Sequence, residues 1–85
     1  MNYGVVFESA AENQLLGKDF SVRKRLIQRI ARMPFETPGR HMEKGLPYFV
    51  AQAGQYRIIY TCKEGVKRIY FVGDHKEYER WYKQL

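Results

Sequence analysis

Cysteine is nearly absent. Cys62 stands alone among 85 residues, which excludes an internal disulfide and any zinc cluster built on cysteines, and fits a reducing compartment. Acids are scarce as well, 9 against 15 lysines and arginines. No apolar run approaches the roughly 20 residues that a membrane-crossing helix needs. The opening Met1-Asn2-Tyr3-Gly4 has no basic region followed by a long apolar stretch, as a secretory signal would. The expectation is a cytoplasmic protein with no membrane partner. Prolines number three and all fall between residues 34 and 47, leaving the rest of the chain free for regular structure. Internal repeats, linkers and low-complexity tracts are missing too.

What is present is enough to fold. Apolar residues make up 45% of the chain and aromatics 15%, so residues 1–85 read as a single domain with one economical core. The net charge is +6 and the isoelectric point about 9.6. Such a balance points to a polyanionic partner, through charge attraction and counterion release.

The chain opens with a β-rich run over residues 3–8. Ser9 and Glu12 have capping-box spacing, predicting a short helix over 10–16 that Gly17 stops. A second helix is predicted over 20–33, because Phe20, Leu26, Ile27, Ile30 and Met33 recur near the 3.6-residue period. Asp19 or Ser21 is placed to cap it and Pro34 to end it. Residues 18–32 hold six basic side chains against one acid, Asp19, a local net of +5. Arg25, Arg29 and Arg32 share one side of this helix, and Arg23 and Lys24 add to it. With no interleaved acids, the surface reads as phosphate-facing.

Residues 34–47 read as a loop containing Arg40, His41 and Lys44. Three strands follow in quick succession, 48–53, 56–62 and 66–72, joined by short glycine-containing turns as antiparallel hairpins. The middle one is apolar on both faces, with Tyr56, Ile58 and Tyr60 on one and Arg57, Ile59 and Thr61 on the other, and belongs at the centre of a sheet. Gly73 breaks the last run, and residues 76–85 suit a terminal helix with Asp74 or His75 at its start. The expected fold is α+β, with two N-terminal helices packed on a four-stranded, mainly antiparallel sheet in the order β-α-α-β-β-β-α.

The segment Gly73-Asp74-His75-Lys76-Glu77-Tyr78-Glu79-Arg80-Trp81-Tyr82 gathers more proton-moving and phosphate-holding groups than any other. Together with Gln55-Tyr56-Arg57-Ile58-Ile59-Tyr60 and the element order, it resembles the RelE/ParE superfamily, the toxins of type II toxin–antitoxin pairs. The Gly-x-His-Lys-Glu-Tyr ending is similar to the HigB branch. The resemblance spans essentially the whole chain.

That resemblance implies an endoribonuclease that enters the ribosomal A site and cleaves mRNA without metal or cofactor, inhibiting translation. In it a ribose 2′-hydroxyl attacks the adjacent phosphate, so the family partners are mRNA, the ribosome with its rRNA, and a cognate antitoxin protein. Arg57 matches the phosphate-holding arginine of the Tyr-Arg strand. His75 matches the catalytic position after the glycine, and a histidine can act as acid or base near neutral pH. Lys76 adds charge and Tyr78 stacks or orients a proton transfer, with Trp81 and Tyr82 alternatives for the same role or for packing. Arg23, Lys24, Arg25, Arg29, Arg32, Arg40, Lys44, Arg80 and Tyr82 are the expected RNA- and ribosome-binding residues. His41 is an exposed loop residue or a further RNA contact. The strand 48–53 carries no charge, and Gln52 stands where the family commonly has arginine, so the positive charge falls to Lys44, Arg57, Lys76 and Arg80. Two other readings stay open: a ParE-like inhibitor of DNA gyrase on the same fold, and a non-catalytic RNA-binding module.

Overall fold

A computed structural model describes residues 2–42 and 46–85. The chain runs β1 (Gly4–Phe7), α1 (Ser9–Leu16), α2 (Phe20–Ile30), a 3-10 turn (Met33–Phe35), β2 (Arg40–His41), β3 (Phe49–Ala53), β4 (Tyr56–Lys63), β5 (Val66–Asp74) and α3 (His75–Tyr82). The strands form one sheet in the order β1-β5-β4-β3-β2. β1 lies parallel to β5, and the other neighbouring strands are antiparallel. The α+β architecture is as expected, with one strand more. Arg40–His41, expected in a loop, pairs with Val50 and Phe49. Two residues display no periodicity, so this strand takes its register from its partner.

Local boundaries shift for physical reasons. Pro34 has no amide hydrogen, so α2 ends at Ile30 and the chain tightens into a 3-10 turn that contains the proline. The capping box expected at Ser9 does not form, because Glu8 is the N-cap and Ser9 is already helical. The Glu8 amide donates to the Ile69 carbonyl at 2.8 Å, which carries β1 directly into the helix. Asp19 is the N-cap of α2 without a side-chain cap bond. Gly73 does not end its strand, since β5 continues to Asp74.

β4 holds the centre of the sheet and both its faces are covered. On one side Tyr56, Ile58 and Tyr60 join Ala51, Ala53, Ile69 and Val72 beneath Ala11, Leu15, Leu26, Ile30 and Met33. On the other, Ile59 and Phe71 are buried, and the Phe71 ring lies 5.4 Å from that of Trp81 on α3. The helices therefore do not share one face, and α3 takes the side opposite α1 and α2. Burial of one such apolar side chain contributes about 1.5–3 kcal/mol.

A β-bulge makes the second face possible. Tyr60 pairs with Ile69 and Ile59 with Phe71, so Tyr70 has no cross-strand partner. One extra residue reverses the alternation of side chains. Ile69 and Val72 face the larger core, while Tyr70 joins Phe71 on the α3 side, its ring 5.5 Å from Tyr48.

Lys67 is the least expected interior residue, only 1% exposed. Its ammonium donates to the carbonyls of Met33 at 2.7 Å and Glu36 at 2.6 Å. It also lies 4.6 Å from the Tyr3 ring centre and 5.5 Å from that of Tyr60. The two carbonyls lie at the start of the 3-10 turn and just after it; Met33 already accepts from the Glu36 amide at 3.3 Å, and the lysine adds a charged donor to both. Burial pushes the ammonium below the ordinary lysine range, with Cys62 and Glu36 pulling the other way. Lys67→Ala is expected to lower stability by roughly 2–3 kcal/mol, read as a fall in the urea midpoint. An unchanged midpoint would show that the turn does not depend on this lysine.

Candidate nucleic-acid interface

The site begins where β5 passes into α3. The Asp74 carboxylate accepts from the Glu77 amide at 2.9 Å, and the Glu77 side chain accepts from the Asp74 amide at 2.9 Å. This is the capping box of the chain. The Glu77 amide holds the Asp74 carboxyl below the ordinary aspartate value of 3.8, with Lys18 adding to the effect. Both Glu77 oxygens also take 2.8 Å bonds from Lys18, in the connector between α1 and α2. Gly73 lies directly beneath. A β-carbon there would stand 2.6 Å from Cζ of Phe71 and 2.9 Å from Oε1 of Glu77. The glycine is required by close approach, and it lets α3 fold back onto the sheet.

On this frame the structure brings together several of the residues expected at the site. Arg57 pairs with Gly73 on β5 and with Gln52 on β3. Its guanidinium carbon lies 4.7 Å from the centre of the Tyr78 ring, a cation–π contact that fixes the arginine's orientation. Tyr78 is one helical turn beyond His75, and its ring lies 6.4 Å from Trp81 and 5.9 Å from Tyr82. His75 opens α3 with its side chain 62% exposed and Nε2 3.5 Å from Oε1 of Glu79. His75 and Lys76 line a shallow depression with Asp74 and Gln55. Arg80 lines a different one, with Gln14, Glu77, Trp81 and Gln84 among its walls. Lys44 lies outside the described residues.

The basic residues of α2 divide into two sets. Arg23 donates to the carbonyls of Leu16 at 3.3 Å and Lys18 at 3.4 Å, closing the C-terminal end of α1. Arg29 donates to the Gln52 carbonyl at 2.9 Å and to Glu36 at 2.7 Å, fastening the helix to β3. Burial raises the Glu36 carboxyl, but Arg29, Arg32 and Lys67 together take it below its ordinary value. Lys24, Arg25 and Arg32 are exposed. Arg25, Arg29 and Arg32 line a groove against Gln52, Ala53 and Gly54. Arg25 also lines a depression with Gln55 and Tyr56, and Gln55 is shared with the depression holding His75 and Lys76. The turn between β3 and β4 thus joins the basic groove of α2 to the start of α3. Arg40 and His41 are exposed on the edge strand β2, His41 with its ring 4.3 Å from Phe49.

Lys18, Asp74, Glu77 and Gln55 complete this surface without having stood out in the sequence as site residues. The Asp-x-x-Glu spacing at Asp74 was readable there, and the long-range Lys18 contact was not. Among the described residues no three histidine, cysteine or acidic side chains group as metal ligands, and no helix is long and apolar enough to cross a membrane.

No protein-family profile matches the chain, and no curated protein matches it. Solved structures do. An arginine-to-alanine double mutant of the Escherichia coli toxin RelE, in its free state, superposes with a TM-score of 0.71 at 18% identity, covering 100% of this chain and 99% of that one. A RelB–RelE antitoxin–toxin complex from Methanococcus jannaschii gives 0.72 at 14% identity, covering 91% and 98%. The RelBE2 toxin–antitoxin complex of Mycobacterium tuberculosis gives 0.71 at 18%, covering 88% and 93%. The chain has the RelE fold.

Two outcomes follow for the α3 junction. Gly73→Ala should push Phe71 or Glu77 aside and loosen α3, measured as faster amide exchange in α3 with β4 still protected; unchanged exchange would refute the close-approach argument. The depressed Asp74 carboxyl contributes stability that is fully present above its unfolded value and is lost as pH falls through its lower folded value. Asp74→Asn keeps an acceptor oxygen but cannot titrate, so its stability should fall less steeply with acid below about pH 4. Asp74→Ala should cost about 1 kcal/mol at neutral pH. Urea midpoints measured across the acid range check both.

Proposed function

We propose that this chain is the toxin of a type II toxin–antitoxin pair, a ribosome-dependent endoribonuclease that cleaves mRNA without metal or cofactor, and that an antitoxin protein is its natural partner. One observation carries the reading: on a RelE fold, Arg57 is held under Tyr78 beside the helix start that bears His75 and Lys76. Phosphate-ester cleavage by a neighbouring 2′-hydroxyl needs positive charge at the developing phosphorane and two proton transfers. The 2′-oxygen loses its proton to a base and bonds to phosphorus. The 5′-oxygen then leaves and takes a proton, giving a 2′,3′-cyclic phosphate and a free 5′-hydroxyl.

Arg57 suits the phosphorane, because stacking on Tyr78 occupies the guanidinium face and leaves its N–H edges for phosphate oxygens. His75, exposed at the start of α3, serves one of the proton transfers, and Lys76 adds charge beside it. The groove of Arg25 and Arg32 continues past Gln55 to His75, a path along which a ribose–phosphate backbone of mRNA or rRNA can lie. Complexes with RelB among the structures of the same fold support an antitoxin partner.

Expression without a partner is expected to arrest translation, with mRNA fragments ending in a cyclic phosphate. His75→Ala and Arg57→Ala should each slow cleavage in a translating extract on the order of 10²-fold or more, with circular dichroism unchanged. Full cleavage by both variants would remove these assignments. A DNA-damage response with intact mRNA would instead favour gyrase poisoning, and salt-sensitive RNA binding without cleavage a non-catalytic module.

A further inference from the structure

The junction between β5 and α3 is fastened from the α1 side at two points. Before the glycine, the Val72 amide donates to Oε1 of Gln14 at 2.8 Å. β1 pairs with β5 only as far as Ile69, so no strand meets this amide and the glutamine takes a strand's place. Beyond the turn into the helix, Lys18 gives 2.8 Å bonds to both Glu77 oxygens. The connector that carries Lys18 is itself tied down. The Lys18 amide donates to the Leu15 carbonyl at 3.2 Å, and its carbonyl accepts from Arg23 at 3.4 Å. Asp74, His75 and Lys76 lie between the two fastenings. α3 has no fully buried residue, and its ring contacts with Phe71 come from Tyr78 and Trp81. Those contacts hold the helix from Tyr78 onward, whereas His75 and Lys76 are exposed.

We infer that Lys18 is a positioning residue: through Glu77 it fixes the start of α3, and with it the place of His75 relative to Arg57. Glu77 is the shared element. It caps the Asp74 amide and lies over Gly73, which is opposite Arg57. Lys18 is poorly suited to be one more cation for RNA. Its side chain is 15% exposed, and of the three N–H groups of an ammonium two already point at Glu77. A reacting group displaced by a fraction of its working distance loses rate far more than it loses binding. The inference rests on the reading of His75 and Arg57 as the groups that cleave.

Lys18→Met, Glu77→Gln and the two combined test it in the full chain. Methionine keeps most of the lysine stem, and glutamine keeps an acceptor for the Asp74 amide. Amide exchange is read first, without RNA: Lys18→Met should speed exchange at Glu77 and Tyr78 while β4 stays protected. Cleavage on ribosomes programmed with mRNA should then slow about ten-fold or more at an unchanged half-saturating concentration, and Lys18→Arg should restore most of the rate. Because the lysine acts through Glu77, the double variant should cleave no more slowly than Lys18→Met alone. Losses that multiply, or a raised half-saturating concentration with the maximal rate intact, would make Lys18 an RNA contact and overturn the inference. Unchanged exchange at Glu77 and Tyr78 would overturn it as well. A parent chain that does not cleave removes the nuclease reading instead, and the exchange result alone then decides whether Lys18 holds the helix start.

Discussion

One unpaired residue in β5 organises both faces of the sheet. Without the bulge at Tyr70, strict alternation from Lys67 would carry Phe71 to the α1–α2 side and Val72 to the other. With it, Ile69 and Val72 complete the larger core while Tyr70 and Phe71 form an aromatic floor on the opposite face. α3, which contains no fully buried residue of its own, packs on that floor through Tyr78 and Trp81. The same shift sets Gly73 opposite Arg57, where absence of a side chain lets Phe71 and Glu77 close over the strand. The helix that presents His75 therefore depends on a register change five residues before its first turn.

Much of this was legible in the sequence, and the reason differs by element. Strands 56–63 and 66–74 were readable because alternation of apolar residues is a local property, and the central place of β4 followed from its two apolar faces. Arg57 stood out because it interrupts such a strand. The bulge was hidden, because Tyr70, Phe71 and Val72 are all strand formers and nothing in their order marks which is unpaired. Lys67 was hidden for a different reason: a lysine reads as solvent-facing unless carbonyls from a distant turn are known to meet it. β2 was too short to show a period. The extra strand and the buried lysine both arise from contacts across more than thirty residues of separation or from a partner strand, which no local window contains.

The hydrophobic pattern of α2 misled in an instructive direction. Phe20 and Ile27 contribute to the helical period as strongly as Leu26 and Ile30 do, but the helix meets the sheet along a narrower stripe than its apolar residues span. A 3.6-residue period reports that a helix has an apolar side and does not report how many partners that side has. The apolar residues left over mark the boundary between what the fold requires and what it leaves available.

The charge of α2 needs the same division. Counted from the sequence, residues 18–32 offer six cations. In the folded chain Lys18 is bound to Glu77, Arg23 to two carbonyls of the α1–α2 connector, and Arg29 to β3 and Glu36. These three hold the helix in place, and an ion already donating to a protein acceptor has fewer N–H groups to offer a phosphate. Lys24 and Arg25 remain exposed, as does Arg32, whose pair with Glu36 is at the surface and worth little there. The electrostatic surface of this element is therefore nearer three charges than six. Its direction matters more than its sum: Arg25 and Arg32 line the groove that leads past Gln55 toward His75, whereas Lys24 sits between Phe20 and Ile27. One short helix thus presents charge to two different surfaces.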